Sequence, residues 1–227
     1  MPSSKELAVH YKSSYSYKNM TTNKIHQTSS ISFNKIMAKY IFKKIMSKKQ
    51  GTKLLDYGSG IGNLIYELMK LDIHKNNIFE GIENNSEAIK FSNKRFSKKI
   101  VSRKLKKNNY DIVTIIEVIE HLKNPWADLH HIYQSMNKGG VIIITTPNIK
   151  GMNAKITGSK WREQLEPTHL VLFEKKTISM LLTNIGFKQI EFIRFYPVSY
   201  NNKLKQLKNI FFQLLGWHGG ICVIATK

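Results

Sequence analysis

Apolar residues follow two successive rhythms along the chain. Before residue 50, Ile36, Tyr40, Ile41 and Ile45 stand at i, i+4, i+5 and i+9, one face of a helix, with Ser30 or Ser32 as its N-cap and Lys48-Lys49-Gln50-Gly51 as its end. From Gly51 the pattern changes to short runs rich in Ile, Val and Leu, alternating with amphipathic stretches of helical length. That alternation predicts a parallel sheet with crossover helices. Strands are expected at 53–57, 78–83, 111–117, 141–146, 188–195 and 221–226, with a weak one at 100–101. Helices are expected at 62–71, 86–96, 125–136, 175–184 and 203–215. Asn124 and Pro125 open a helix that Gly139-Gly140 stops, Pro147 halts a strand, and Gly186 closes a helix. Residues 148–174 read as an irregular insert. The expected organisation is a helical N-terminal lid segment, 1–50, followed by one α/β domain, 51–227.

Composition narrows the class. With 41% hydrophobic and 11% aromatic residues the chain can bury a core, which rules out wholesale disorder. The single cysteine, Cys222, excludes an intramolecular disulfide framework and any multi-cysteine metal site, and it fits a reducing cytoplasm. Residues 1–23 are polar, and no run reaches the roughly 18 apolar residues of a membrane span, so a soluble, cytoplasmic protein is expected. A net charge of +21 draws a protein towards polyanions such as nucleic acid or anionic lipid. Yet only four of the 36 basic residues are Arg, and Lys, Asn and Ile are abundant together, as codons rich in A and T would produce. Phosphate-reading proteins recruit Arg for its bidentate fork. The basic stripe at 203–215 has the pattern of a helix that either rests on a membrane surface or packs on the sheet.

The chemistry concentrates at strand ends. Leu54-Leu55-Asp56-Tyr57-Gly58-Ser59-Gly60-Ile61-Gly62 crosses a strand-to-helix junction, where glycines let the backbone turn sharply and approach a ligand. The spacing is neither the dinucleotide fingerprint nor a G-K-[ST] phosphate loop. Gly81-Ile82-Glu83-Asn84 ends a strand in an acid, and a carboxylate so placed can accept both hydroxyls of a ribose.

Together these two elements resemble the cofactor-binding half of the class I S-adenosylmethionine-dependent methyltransferases. Tyr110-Asp111-Ile112-Val113 with Glu117 to Pro125, the run Gly139 to Asn148, and the closing run Gly219 to Lys227 extend the likeness over residues 51–227. The resemblance implies a Rossmann-like, seven-stranded, mostly parallel sheet in the order 3-2-1-4-5-7-6, with the last strand antiparallel and helices on both faces. It also implies S-adenosylmethionine as cofactor, lined by Gly58, Ser59, Gly60 and Gly62. Asp56 would brace the loop, Glu83 would hold the ribose, Asn84 would flank the adenine, and Glu117 and Val118 would face the methyl. The acid that the family often carries after the third strand is replaced here by Ser102.

Glu117-x-x-Glu120-His121 is similar to the ubiquinone-biosynthesis O-methyltransferases and to enzymes acting on small metabolites and surface polysaccharides. There the two glutamates and the histidine are associated with a divalent metal, so Glu117, Glu120 and His121 are candidate ligands; alternatively Glu120 and His121 only shape the pocket. In the insert, Lys160-Trp161-Arg162-Glu163 and Glu166-Pro167-Thr168-His169 would lie beside the acceptor. His169 and His121 are the catalytic candidates, since imidazole titrates near neutral pH, although a structural, hydrogen-bonded His169 is an equal reading. Trp161 is either a stacking platform or a packed lid residue. The expected reaction is methyl transfer to a small-molecule hydroxyl, with RNA methylation or a non-catalytic cofactor-binding scaffold as rivals. The absence of [DN]-P-P-[YFW] argues against methylation of exocyclic amines in nucleic acid, and Cys222 sits in the last strand, away from any role on cytosine C5.

Overall fold

The structure is a computed structural model and describes residues 24–48, 51–74, 76–105, 109–193 and 219–227. Among the described residues the first element is α1 (Lys24–Lys44), followed by β1 (Lys53–Tyr57), α2 (Asn63–Leu71), β2 (Ile78–Ile82), α3 (Ser86–Arg95), β3 (Val101–Ser102) and β4 (Tyr110–Ile116). The chain continues through α4 (Pro125–Ser135), β5 (Met136–Pro147), α5 (Met152–Thr157), α6 (Arg162–Leu165), α7 (Lys175–Ile185), β6 (Lys188–Phe192) and β7 (Gly220–Thr226). Among the described residues the strands form one seven-stranded sheet in the order β3-β2-β1-β4-β5-β7-β6. β7 runs antiparallel to both its neighbours, and the other pairings are parallel. The expected fold class is the observed one.

Successive strand residues point to opposite faces, so each buried run feeds two cores. Leu54, Ile112, Ile143 and Cys222 face α1 and α2, where Met37, Ile41, Leu64, Ile65 and Leu68 cover them. Leu55, Val113, Ile142, Ile144 and Val223 face α4 and α7, under Leu129, Ile132, Ile178 and Leu182. Full burial of each such side chain contributes about 1.5–3 kcal/mol. α1 lies along α2, and its Met37, Ala38 and Ile41 are fully buried, so this part of the N-terminal segment shares a core with the sheet.

Several helix boundaries match their expected chemistry. The Asn124 side chain accepts from the Ala127 N–H at 3.1 Å with Pro125 in the first turn, and Gly186 closes α7 in a left-handed conformation. Two expectations need correction. Ser30 and Ser32 do not cap α1 but lie within it, because no Gly or Pro interrupts the residues from Lys24 onward. Gly139-Gly140 does not stop α4: that helix ends at Ser135, and the glycines belong to β5. A Cβ on Gly140 would stand 2.8 Å from the Asn137 carbonyl oxygen, where the pairing with β4 shifts register. The insert at 148–174 contains α5, α6 and a short 3-10 turn, and an isolated bridge between Asn148 and Phe173 ties its two ends together. The expected helix at 203–215 lies outside the described residues.

β1 and β4 are adjacent while the chain proceeds from β1 to β2 on the opposite side. The sheet therefore has its topological switch point between β1 and β4, where open α/β sheets bind ligands beyond the strands' carboxyl ends.

Candidate active site

The first cluster sits beyond β1 and β2. The N–H groups of Gly58 and Ser59 both donate to the Ile82 carbonyl at 2.8 Å, which folds the loop back over the end of β2. Gly58 has φ 80°, and a Cβ there would stand 2.4 Å from a Val118 methyl, so glycine is required for both conformation and space. Gly60, at φ 52°, has nothing within 4 Å of where its Cβ would be, so its backbone borders open space. Glu83 serves as a staple. Its Oε2 accepts from the Gly60 N–H at 2.9 Å, and its Oε1 accepts from the N–H groups of Asn84 and Asn85 at 2.7 and 2.8 Å. A carboxylate has about four lone-pair positions, so acceptor capacity remains for a ligand hydroxyl.

Asp56 lies buried beneath this loop and accepts from the Thr114 hydroxyl at 2.7 Å. Burial pushes its carboxyl up to about 7, the Thr114 hydrogen bond opposes that shift, and the nearby Glu83 charge adds to it. Beside Asn84 a cavity of about 580 Å³ opens, lined by Tyr57, Ile82, Arg103 and Asp128 among others. The Tyr57 hydroxyl donates to Asp128 at 2.9 Å. The half-buried Ser102 donates to the Lys104 carbonyl at 3.2 Å.

The second cluster sits beyond β4 and β5. Glu117, first after β4, adopts φ 54°, a conformation that costs a non-glycine residue about 1–2 kcal/mol. Its N–H donates to both the carbonyl and the hydroxyl of Thr145 on β5, at 3.0 and 3.2 Å, which holds the strained turn. A 3-10 turn, Ile119–His121, follows. The Glu120 side chain is 1% exposed, with Oε2 accepting from the Thr146 hydroxyl at 3.0 Å. Burial, reinforced by the Glu117 charge, raises its carboxyl well above the ordinary range. The Glu120 carbonyl accepts from the N–H groups of Leu170 and Val171, drawing the insert onto this turn.

That docking brings His169 to His121. Their rings meet edge to face with centroids 4.7 Å apart. His121 Nδ1 lies 2.9 Å from the Thr168 carbonyl oxygen, and His169 Nδ1 lies 2.8 Å from that of Glu163. A carbonyl can only accept, so each Nδ1 carries a proton. Burial lowers the His121 pKa to about 4, against the opposing pull of the Thr168 carbonyl, so its ring is neutral near pH 7.

The structure thus brings Asp56, Gly58, Ser59, Gly60 and Glu83 together on one side, and Glu120, His121 and His169 on the other. Val118 packs against Gly58 between the two clusters. Donor atoms of Glu120, His121 and His169 lie within 4.8 Å of one another. Trp161 is 5% exposed and packed. His130 stacks on Trp126 and contacts Gln134 on the outer face of α4. Sequence reasoning missed Thr114 and Thr146, the hydroxyls on the two buried acids, and it missed the carbonyls of Glu163 and Thr168. The hydroxyls carry a faint signal, being polar residues within otherwise apolar strands; the carbonyls carry none.

A glycine loop stapled to an acid at the end of β2, on a sheet of this order and with a reversed last strand, defines a class I methyltransferase fold. A family described as methyltransferase domain matches residues 33–191, and the chain belongs to it. Its methyl donor is S-adenosylmethionine. A methyltransferase dependent on this donor from Archaeoglobus fulgidus is 20% identical, with 86% of this chain and 94% of that one covered at a TM-score of 0.59. The plantazolicin methyltransferase BpumL, solved with S-adenosylhomocysteine, is 18% identical over 97% and 94% of the two chains, with a TM-score of 0.62. A Thermotoga maritima protein described as a possible histamine N-methyltransferase is 13% identical over 97% and 98%, also at 0.62. No curated protein matches the chain. Among the described residues no helix is long and apolar enough to cross a membrane.

Proposed function

We propose that this methyltransferase acts on a hydroxyl oxygen of a small-molecule acceptor seated between Glu117 and the His121–His169 pair. The observation that supports it most is that both imidazoles are held by Nδ1–H contacts to backbone carbonyls, which makes Nε2 the atom through which a neutral ring takes a proton. On the cofactor side, Gly58, Ser59, Gly60 and Gly62 border the methionine end, Asp56 braces the loop and reaches the cofactor's amino group through a water, and Glu83 takes the ribose hydroxyls. Asn84 and Ser102 flank the adenine at the mouth of the cavity beside Asn84. Glu117 and Val118 separate donor from acceptor. We assign α1, held on α2, to the N-terminal lid segment, of which residues 1–23 lie outside the described residues.

Bound S-adenosylmethionine supplies an electrophilic methyl on a positively charged sulfur; the O–CH3 bond forms as the S–CH3 bond breaks, leaving a neutral thioether. His169 Nε2 accepts the acceptor's proton, and His121, edge-on to it, keeps its ring oriented. A hydroxyl needs such a base because it is a poor nucleophile while protonated. One fold relative is named for an amine acceptor, so amines form the competing panel.

The test has two stages. Calorimetry with S-adenosylmethionine and S-adenosylhomocysteine is expected to give saturable binding, abolished by Gly60→Arg and weakened by Glu83→Ala. Acceptor screening then compares hydroxyl with amine compounds. His169→Ala is expected to lower turnover about 10²–10⁴-fold while leaving cofactor affinity unchanged. Turnover on amines alone overturns the hydroxyl reading, and absence of cofactor binding by folded protein overturns the whole proposal.

A further inference from the structure

The two imidazoles and Glu120 support a second use of the same pocket. The resemblance in sequence points to Glu117, Glu120 and His121 as metal ligands, an oxygen-rich set. The fold assembles a different trio, because the insert delivers His169 from 48 residues further along the chain than His121. Donor atoms of Glu120, His121 and His169 lie within 4.8 Å of one another, so movements of about 1 Å bring them to the 2.0–2.2 Å shell of a divalent ion. The edge-to-face rings lie 4.7 Å apart between centroids, a spacing compatible with two imidazoles on one ion.

The outer surroundings fit as well. Metal-binding histidines donate their other ring N–H to a carbonyl or carboxylate, which fixes the ring and leaves the opposite nitrogen for the ion. Both histidines do so here, through the carbonyls of Thr168 and Glu163. The Glu163 carboxylate lies a further 3.7 Å from His169 Nδ1. Glu120 is oriented by the Thr146 hydroxyl, and its main chain is clamped by Leu170 and Val171. Two nitrogens and one carboxylate make a set that zinc accepts with a fourth position open, and that magnesium, which demands oxygen ligands, disfavours.

We propose that Glu120, His121 and His169 form a binding site for one borderline divalent transition ion of the Zn²⁺ or Co²⁺ type. An ion there takes up the Nε2 lone pairs, so the loaded protein lacks the base of the proposed reaction. The proposal shares its pocket with that reaction but does not depend on the acceptor being a hydroxyl.

Co²⁺ added to the metal-free full chain reports the site through its visible absorption. One saturable ion per chain is expected, undisturbed by a large excess of Mg²⁺ and displaced by Zn²⁺. In the wild-type Co²⁺ protein, proton NMR is expected to show two exchangeable, hyperfine-shifted imidazole N–H resonances, a readout that needs no variant to fold. His169→Ala and His121→Ala are expected to weaken binding by more than about 100-fold, and Glu163→Gln by about 10-fold. Glu117→Gln and His130→Ala, the latter at a half-buried position on α4, keep the spectrum. Calorimetry with S-adenosylhomocysteine on the same samples separates failure of the metal site from failure of the methyltransfer reading. No saturable spectrum in the wild type overturns the inference, as does a spectrum that survives His169→Ala but is lost in Glu117→Gln.

Discussion

The glycine-loop cluster beyond β1 and β2 and the histidine cluster beyond β4 and β5 are built by different means. Around the glycine loop, residue identity does the work: a glycine where Val118 leaves no room for a Cβ, and an acid whose two oxygens gather three backbone N–H groups. Around the histidines, long-range backbone contacts do it. The Glu120 carbonyl holds the insert, and carbonyls from the insert hold the rings. The first design is brittle to substitution but readable; the second tolerates substitution and is hard to read.

The largest effect expected from this contrast is at Gly58. Gly58→Val meets Val118 and a positive φ together, and urea unfolding should show a loss of about 2–5 kcal/mol. Gly60→Ala, with open space around it, should cost only the conformational strain, about 1–2 kcal/mol. Equal losses at the two positions would remove the distinction between a packed and an open glycine.

Next comes Asp56. Its carboxyl is raised from 3.8 to about 7, so the folded state holds that proton more tightly than the unfolded chain does. Its contribution to stability is therefore greatest below pH 3.8 and declines as the pH rises to about 7. Asp56→Asn should flatten this slope in denaturation curves taken across that range. Cofactor affinity should rise with pH through about 7 in the wild type, as Asp56 ionises to face an ammonium, and should not do so in the variant. On the acceptor side, His121 should titrate near pH 4 by NMR. A folded pKa lowered from 6.5 means that stability falls as the pH drops from 6.5 towards about 4. The smallest effect belongs to Thr146→Val, where one hydrogen bond to Glu120 is lost, about 1 kcal/mol by thermal unfolding.

The same contrast explains what could be read in the sequence. The strands were legible because alternate residues feed two cores, as Leu54 and Leu55 do. Asp56, the glycines and Glu83 were legible because few residue types can do their jobs at those spacings. The start of α1 was not, since serine at a cap and serine inside a helix look alike until the preceding turn is seen. Nor was the end of α4, because Gly140 serves a close approach to β4 and Gly139 a left-handed turn within β5 rather than a helix stop. The grouping of His169 with Glu120 depended on a contact between Glu120 and Leu170, 50 residues apart, made by main-chain atoms that every residue possesses.

The carbonyls of Glu163 and Thr168 have an evolutionary consequence. A backbone oxygen persists through any mutation of the residue that bears it. The carbonyl contacts on the two rings therefore do not depend on which side chains stand at 163 and 168, although Thr168 itself is fully buried and its side chain is held by Glu166. A side-chain change at an exposed position of the insert thus alters the surface beside the two rings while both carbonyl contacts stay in place.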